Sequence, residues 1–201
     1  MKTDVIVVSS TGRRMEAALA QVDKVAAYKG LSEKGKTHLR LLAEEMMGLM
    51  RSVTGETEGR FWIEDEDGVY RLCLEVETTM TSEKREQLLS ASTSGKNESA
   101  RGLMGWVRDF FDRGTDEDVA LFATPMLSPG MMESTSTPAL DWEWSMLRYE
   151  DYLQNGIANH SREAQEAWDE LEKSVVVYVA DEVRVSIRGR RAAMTIFKKL
   201  S

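Results

Sequence analysis

The stretch Thr37–Met50 constrains the fold of this chain more than any other part of its sequence. Apolar residues recur there at steps of three and four, which is the spacing of one face of a helix. These residues are Leu39, Leu42, Ala43, Met46, Met47 and Met50. Glu44 and Glu45 fall on the opposite side, and Gly48 leaves room for another backbone to approach closely. The pattern therefore predicts a long helix that packs one face against a core.

The residues before this helix predict a strand and a first helix. The Val- and Ile-rich segment Asp4–Ser9 is typical of a short strand. Ser10 or Thr11 can then cap a helix, because their side-chain oxygens accept hydrogen bonds from first-turn amides. Gly30 is a suitable end for this helix, and Ser32 is a suitable cap for the central one. The apolar stripe of the first helix is Met15, Ala18, Leu19, Val22, Val25 and Ala26.

Two strand patterns follow the central helix, at Gly59–Glu64 and Val69–Glu77. The acidic segment between them, Asp65–Gly68, ends in glycine and predicts a hairpin turn. Side chains alternate along a strand, so each strand should have one apolar face. The residues predicted for these faces are Phe61 and Ile63 on the first strand, and Leu72, Leu74 and Val76 on the second. Trp62 is predicted to point the other way.

The composition changes in the second half of the chain. Helical patterns at Ser82–Ser90 and Ala100–Phe111 flank a small, polar loop, Ala91–Ser99. All three prolines then fall between residues 113 and 140, among Ser, Thr, Gly and Met. Such a composition is typical of a linker or flap rather than of a core element.

Two helices and three strands are predicted after this linker. The helices are Asp141–Asn155 and Ser161–Lys173, separated by Gly156. Trp142 and Trp144 lie two apart, so on one helix they would point to different sides. This helix either packs on the domain or presents a partner-binding or dimer surface. The closing strands are Ser174–Val179, Val183–Arg188 and Ala193–Leu200.

Composition and charge restrict the class of protein. A length of 201 residues suits one domain, and a net charge of −8 argues against general binding to nucleic acid or acidic membranes. The N-terminal apolar run is too short for a signal peptide, and no stretch has the length of a membrane span. The single cysteine, Cys73, cannot form an internal disulfide, which fits a reducing cytoplasm, and its strand pattern predicts a buried thiol. Neither His38 nor His160 has metal-ligand spacing.

The order of the predicted elements indicates a fold class. Strand, helix, helix, hairpin, helix and closing strands predict an α+β two-layer sandwich, with helices packed on one face of a mixed, mostly antiparallel sheet. This order resembles the GHKL-type ATP-binding domain of histidine kinases, Hsp90 and gyrase, and among these most closely the bacterial anti-sigma factor serine kinases. The resemblance covers Asp4–Asp112 and Ser174–Leu200. Residues 1–201 are therefore expected to form a single domain with an insertion at about residues 113–173.

The resemblance also implies positions for a nucleotide site. In that family a Glu-x-x-x-Asn box on the second helix positions water and holds magnesium; here Glu45 occupies the Glu position and Leu49 the Asn position. The family also has an Asp-x-Gly-x-Gly box, whose Asp recognises the adenine amino group. Here Glu77 occupies the Asp position, and both glycines are absent. Lys96 falls in the loop that corresponds to the ATP lid, and is otherwise a solvated loop lysine. A further box of the family lies at the start of a helix, where unpaired backbone amides bind phosphate. Here Arg101, Gly102 and Leu103 occupy positions of that box.

These departures from the family pattern lead to two hypotheses. Leu49 offers no oxygen to a hard cation, so a degenerate and inactive ATP site is expected, with no cofactor. The first hypothesis is a regulatory protein-interaction module that resembles an anti-sigma factor. Its partner would be a sigma factor or an anti-anti-sigma protein, and a homodimer is left open. The alternative is an enzyme of the anti-sigma type, a functional ATP-binding protein-serine kinase that uses ATP with Mg²⁺ and in which Glu45 is catalytic.

Overall fold

The computed structural model describes residues 1–9, 14–54, 58–77, 142–188 and 191–200. Inside the helices and strands, the side chains at positions 49–54, 142, 170, 187 and 188 are not described. The predicted caps Ser10 and Thr11 lie outside the described residues. The predicted helices Ser82–Ser90 and Ala100–Phe111, the loop between them and the proline-rich segment lie outside them as well.

The described part of the chain contains six strands and five helices. The strands are β1 (Ile6–Ser9), β2 (Glu58–Glu66), β3 (Val69–Glu77), β4 (Trp142–Ser145), β5 (Glu182–Arg188) and β6 (Arg191–Lys199). The helices are α1 (Met15–Tyr28), α2 (Glu33–Thr54), α3 (Met146–Ala158), α4 (Arg162–Leu171) and α5 (Val175–Val179).

These strands form one open sheet in the order β1-β2-β3-β6-β5-β4, and each pairing between neighbours is antiparallel. Side chains alternate across the sheet, so each strand contributes one set of residues to the core. Both α1 and α2 contact the sheet, and their apolar side chains join those of the strands in a single cluster. The predicted α+β fold, with helices on one face of the sheet, is confirmed, and the described sheet is antiparallel throughout rather than mixed.

Helix α2 forms the centre of this core, as the sequence predicts. Its first turn is capped by Ser32, whose Oγ accepts a hydrogen bond from the Gly35 amide at 3.2 Å. Helix α1 packs beside α2 and is followed by Gly30 with a φ of 64°, a conformation that glycine adopts without steric penalty. Most of the two predicted stripes is buried: Ala18, Leu19, Val22, Val25 and Ala26 on α1, and Leu39, Leu42, Ala43, Met46 and Met47 on α2. Met15 is half-buried, and the side chain of Met50 is not described.

The hairpin between β2 and β3 turns more tightly than the sequence predicts. The two strands pair as far as Glu66 and Val69, so only Asp67 and Gly68 remain in the turn. Both have positive φ, 51° and 80°, as a type I′ turn requires. A Cβ at Gly68 would lie 2.9 Å from the backbone oxygen of Leu200, so the end of the chain packs directly on this turn.

The structure corrects the prediction of a helix that begins at Asp141. The segment Trp142–Ser145 is strand β4, and helix α3 begins only at Met146. The alternation Trp-Glu-Trp-Ser matches the two-residue period of a strand, and Trp144 is buried opposite Val185. The inference that Trp142 and Trp144 point to different sides of one helix is therefore wrong.

A second correction concerns Ser174–Val179, which the sequence predicts as a strand. This segment instead forms the short helix α5. Strand β5 has β6 on one side and β4 on the other, so no edge beside it remains for another strand. Val176 packs into the core from the helix. Tertiary packing has here overridden the strand propensity of a Val-rich run.

Two helical glycines differ in how closely other elements approach them. Gly156, predicted to separate two helices, lies inside α3, which ends two residues later. A Cβ at Gly156 would lie 2.7 Å from the Cβ of Ala164, so α3 and α4 approach closely there. Among the described residues, no atom lies within 4 Å of the Cβ position at Gly48. Gly48 therefore leaves open space, as the sequence indicates, and no described backbone approaches it.

Candidate functional site

The first candidate site is the nucleotide site that the family resemblance implies, and Glu45 is its central residue. Glu45 lies on α2 at the border of its buried face and is half-buried. Burial raises its pKa above the ordinary value of a glutamate, and the neighbouring Glu44 carboxylate raises it further. Glu44 itself pairs with Arg40 at 3.1 Å. Glu45 is therefore the carboxylate of α2 whose surroundings favour proton uptake, a property that a general base needs.

Glu77, the last residue of β3, is the other predicted nucleotide-site residue that the structure describes. It is exposed and stands opposite Arg191 in the ladder between β3 and β6. No described residue makes a hydrogen bond or an ion pair to either the Glu45 or the Glu77 carboxylate. The positions Lys96, Arg101, Gly102 and Leu103 lie outside the described residues, so the structure locates two of the six predicted site residues.

The residues at the predicted magnesium position do not fit a magnesium ion. The position four residues after Glu45 is Leu49, which has no oxygen ligand to offer. Within the described ranges, no group of three or more His, Cys, Asp or Glu side chains could hold a metal ion. The described residues therefore offer no ligand set for Mg-ATP.

A second polar cluster surrounds Glu182 and escaped the sequence analysis. Its side chain is 9% exposed, and its carboxylate accepts hydrogen bonds from Ser145 Oγ at 3.1 and 3.2 Å. The backbone amides of Val183 and Leu147 also donate to it, at 3.0 and 3.4 Å. Glu182 thus caps the first turn of α3 from a neighbouring strand, where the helix dipole also favours a negative charge.

Glu150, one turn into α3, completes this cluster. It is half-buried, and burial raises its pKa, with a further contribution from the nearby Glu182 carboxylate. Two carboxylates with different hydrogen-bonding surroundings lie close together here. No sequence pattern indicates this contact, because Glu150 and Glu182 are far apart in the chain and the position of Glu182 depends on how β4 pairs with β5.

A third cluster joins the end of α1 to the hairpin. The Asp65 side chain is only 4% exposed, and its Oδ2 lies 2.5 Å from Lys29 Nζ. The hydrogen bond to Asp65 raises the pKa of Lys29, and burial raises the pKa of the adjacent Tyr70 phenol. Asp65 Oδ1 is buried and has no hydrogen-bond partner among the described residues. The sequence places Asp65 in an exposed turn, so its burial could not be anticipated.

Cys73 and His38 show no sign of chemical activation. Cys73 is 7% exposed, and burial raises the pKa of its thiol to about 11, which confirms the predicted buried thiol. His38 is half-buried on α2. Burial lowers its pKa, and so do the charges of Lys198 and Lys34.

Comparisons with known proteins identify no relative of this chain. No family model, no curated protein and no solved structure matches it. In the part of the chain that the structure describes, no helix has both the length and the apolar character needed to cross a bilayer. The function must therefore be argued from the residues themselves.

Proposed function

We propose that this protein is a regulatory protein-interaction module on a degenerate GHKL-type scaffold, similar in role to an anti-sigma factor. The observation that carries this proposal is the order of elements around the sheet. Strand β1, helices α1 and α2 and the β2–β3 hairpin come first, and the closing pair β5–β6 returns to lie beside β3. The described elements follow the order that the resemblance implies, with both helices on one face of the sheet, and the helix expected after the hairpin lies outside the described residues.

The chemistry of the nucleotide positions supports a regulatory rather than a catalytic role. Leu49 removes the oxygen that would hold magnesium beside Glu45, and Glu77 replaces the shorter Asp that reads adenine in the family. Thr79 and Thr81 stand where the family has two glycines. A scaffold that keeps its elements while losing these groups retains surfaces for binding but lacks the groups for phosphoryl transfer.

One observation favours a second candidate function, the ATP-binding protein-serine kinase. Glu45 is half-buried, and its pKa is raised by that burial. Enzymes use such surroundings to adjust a carboxylate that acts as a general base. Structural ion-pair networks and buried helix residues also produce shifts of this kind, so Glu45 alone does not outweigh the missing magnesium ligand.

The partner class follows from the proposed role. Under this proposal the partner is a sigma factor or an anti-anti-sigma type protein, and both act in the cytoplasm. The single cysteine of the chain fits that reducing compartment.

Turnover of ATP separates the two candidate functions. We expect the full chain with Mg²⁺ to hydrolyse no more ATP than its Glu45→Gln variant, because the acidic group would have no catalytic role. Glu44→Gln is the matched control, since it removes the same charge one residue away and Glu44 already pairs with Arg40. A rate that Glu45→Gln abolishes and Glu44→Gln retains would overturn the inactive-site proposal and favour the kinase alternative.

A further inference from the structure

Strand β1 forms one edge of the sheet, and no described strand pairs with its outer side. Val5 and Val7 lie along this edge and are 50% and 40% exposed. An unpaired edge with exposed apolar side chains is a template for pairing with another chain, and folded proteins usually protect such edges. We call the outer side of residues 5–9 the β1 edge.

The segment before the β1 edge is protected from pairing. Between Lys2 and Ile6 this segment advances four residues while its partners on β2 advance three, so one extra residue forms a bulge. Gln21 of α1 covers the bulge, because its side-chain amide donates to Thr3 Oγ1 at 2.7 Å and to the Asp4 backbone oxygen at 3.0 Å. Bulges and covering groups keep other strands away. Residues 6–9, in contrast, pair regularly with β2 and contain no lysine or proline.

The hydrogen bonds of β2 show which backbone groups of β1 point outward. The amide of Thr3 donates to the backbone oxygen of Ile63, so alternate residues of β2, counted from Ile63, turn their backbone groups toward the N-terminal segment. Phe61 is one of these residues, and it stands opposite Ile6. Ile6 is therefore hydrogen-bonded to β2. Val7, the next residue, turns its amide and carbonyl groups toward the unpaired side.

Helix α1 lies above the β1 edge and forms a second wall beside it. The helix contacts both β1 and β2, and Gln21 marks the side that faces the N-terminal segment. Ala17 and Arg14 lie four and seven residues before Gln21, so they share this side of the helix, and both are exposed. A strand added to β1 would place its core-side residues beside the small side chain of Ala17.

The start of α1 gives the β1 edge a positive charge. The helix runs back alongside β1, with Gln21 beside Asp4. Seven helical residues and three strand residues each span about 10 Å, so Arg14 lies about level with Val7. Arg14 makes no side-chain cap, and its guanidinium adds to the positive end of the helix dipole. Glu16, the acidic residue of the first turn, lies on a different side of the helix.

We propose that an extended segment of a partner protein adds to the β1 edge as a further strand. Its backbone pairs with Val7, and its apolar side chains cover Val5 and pack beside Ala17. A carboxylate of the segment faces Arg14. Main-chain hydrogen bonds supply affinity in this binding mode, and alternate side chains supply specificity. The β1 edge of a second copy does not supply the acidic contact, because residues 5–9 contain no carboxylate.

This inference names the way in which the proposed regulatory module holds its partner, and it rests on that function only in requiring a protein partner. ATP turnover tests the proposed function, whereas peptide binding tests the β1 edge. Either can therefore fail without the other.

The probe is a blocked eight-residue peptide that alternates threonine with N-methylvaline, so only one of its edges can form hydrogen bonds. In two forms of the peptide, the side chain of a central N-methylvaline is replaced by that of glutamate or that of lysine. We expect the glutamate form to bind with a Kd of about 10–100 µM by fluorescence anisotropy. At low salt the lysine form should bind at least about threefold more weakly.

Substitutions at two positions separate the backbone contact from the charge contact. Val7→Pro removes the outward amide without breaking a hydrogen bond to β2, so it should unfold thermally like the wild type. We expect this variant to bind the peptide at least about tenfold more weakly, whereas Val7→Thr, which keeps the amide and a branched Cβ, should bind within about twofold of the wild type. Arg14→Gln should abolish the preference for glutamate over lysine. Lys24→Gln, which removes another exposed cation of α1, should retain it.

Hydrogen exchange of the Val7 amide tests the backbone contact without a substitution. We expect saturation with the glutamate peptide to slow this exchange by at least about tenfold, and to change the exchange of Ile6 far less. The proposal is overturned by absence of binding up to about 1 mM, by a folded Val7→Pro that binds normally, or by an unprotected Val7 amide in the saturated complex. A wild type that dimerises without peptide, and that Val7→Pro makes monomeric, also overturns it, since a second copy would then occupy the edge.

Discussion

The same substitution at two helical glycines is expected to change stability in opposite directions. Alanine is favoured over glycine inside a helix by about 0.5–1 kcal/mol. No described atom lies within 4 Å of the Cβ position at Gly48, so Gly48→Ala should stabilise the protein by that amount. At Gly156 the new Cβ would lie 2.7 Å from the Cβ of Ala164.

The expected effect of Gly156→Ala is the sum of two opposing contributions. Both Cβ atoms in the clash are fixed to helix backbones, so α3 and α4 must move apart. Overpacking of this kind costs about 1–3 kcal/mol, and a Cβ–Cβ distance of 2.7 Å places this clash in the upper part of that range, so a gain in helix propensity of about 0.5–1 kcal/mol offsets only part of the cost. The backbone oxygen of Gly156 also accepts hydrogen bonds that end the helix, from the amides of Asn159 and Ser161 at 3.1 and 2.9 Å. We expect a net destabilisation of about 1–2 kcal/mol.

Urea unfolding followed by circular dichroism measures both effects. The double variant Gly156→Ala/Ala164→Gly removes the clashing methyl group on α4, so we expect a favourable coupling of about 1 kcal/mol between the two changes. Gly48→Ala is the control for helix propensity alone. If Gly156→Ala stabilises the protein as Gly48→Ala does, or if the double variant shows no coupling, the close approach of α3 to α4 is refuted.

Three further predictions concern the buried polar groups. Glu182→Ala removes the cap of α3 and leaves buried donors unpaired, so unfolding free energy should fall by about 1–3 kcal/mol in urea titrations; a change below about 0.5 kcal/mol would contradict the capping role. Burial favours the protonated form of Glu150, so its pKa is higher in the folded protein than in the unfolded chain. The resulting stabilisation is fully present below the unfolded pKa and is lost as pH rises through the folded pKa. Glu150→Gln should therefore lose less stability than the wild type between about pH 4 and pH 7, and equal losses would count against the burial of this carboxyl group. The thiol of Cys73 has a pKa of about 11, against 9.0 for an ordinary thiol. We therefore expect Cys73 of the folded protein to react with an aromatic disulfide reagent at least about 100-fold more slowly than in urea-unfolded protein. Equal rates would show that the thiol is accessible.

The parts of the fold that the sequence predicts correctly are those encoded in local patterns. Helix α2 has its cap, its stripe and its preceding glycine within about twenty residues, and the β2–β3 hairpin has two alternating strands around an Asp-Gly turn. Strand β4 and helix α5 were misassigned because their states depend on distant partners. Trp142–Ser145 is a strand because it pairs with β5, and Val175–Val179 is a helix because β5 has no free edge.

The candidate sites divide in the same way. Glu45 could be singled out because the resemblance attaches to residues adjacent in sequence. Its half-burial was not predicted, since the sequence pattern places it on the side of α2 opposite the apolar stripe. The clusters at Glu182 and Asp65 could not be predicted, since each joins elements that meet only in the folded chain. In both, a carboxylate is buried because the elements around it supply donors: amides and a hydroxyl for Glu182, and the Lys29 ammonium for Asp65.

Equilibrium binding of labelled ATP to the full chain, with and without Mg²⁺, tests the central claim most directly. The account predicts no magnesium-dependent binding at micromolar concentrations, because Leu49 supplies no ligand where the family has a magnesium-holding Asn. Micromolar binding that requires Mg²⁺ would contradict the account and show that the chain has a working nucleotide site.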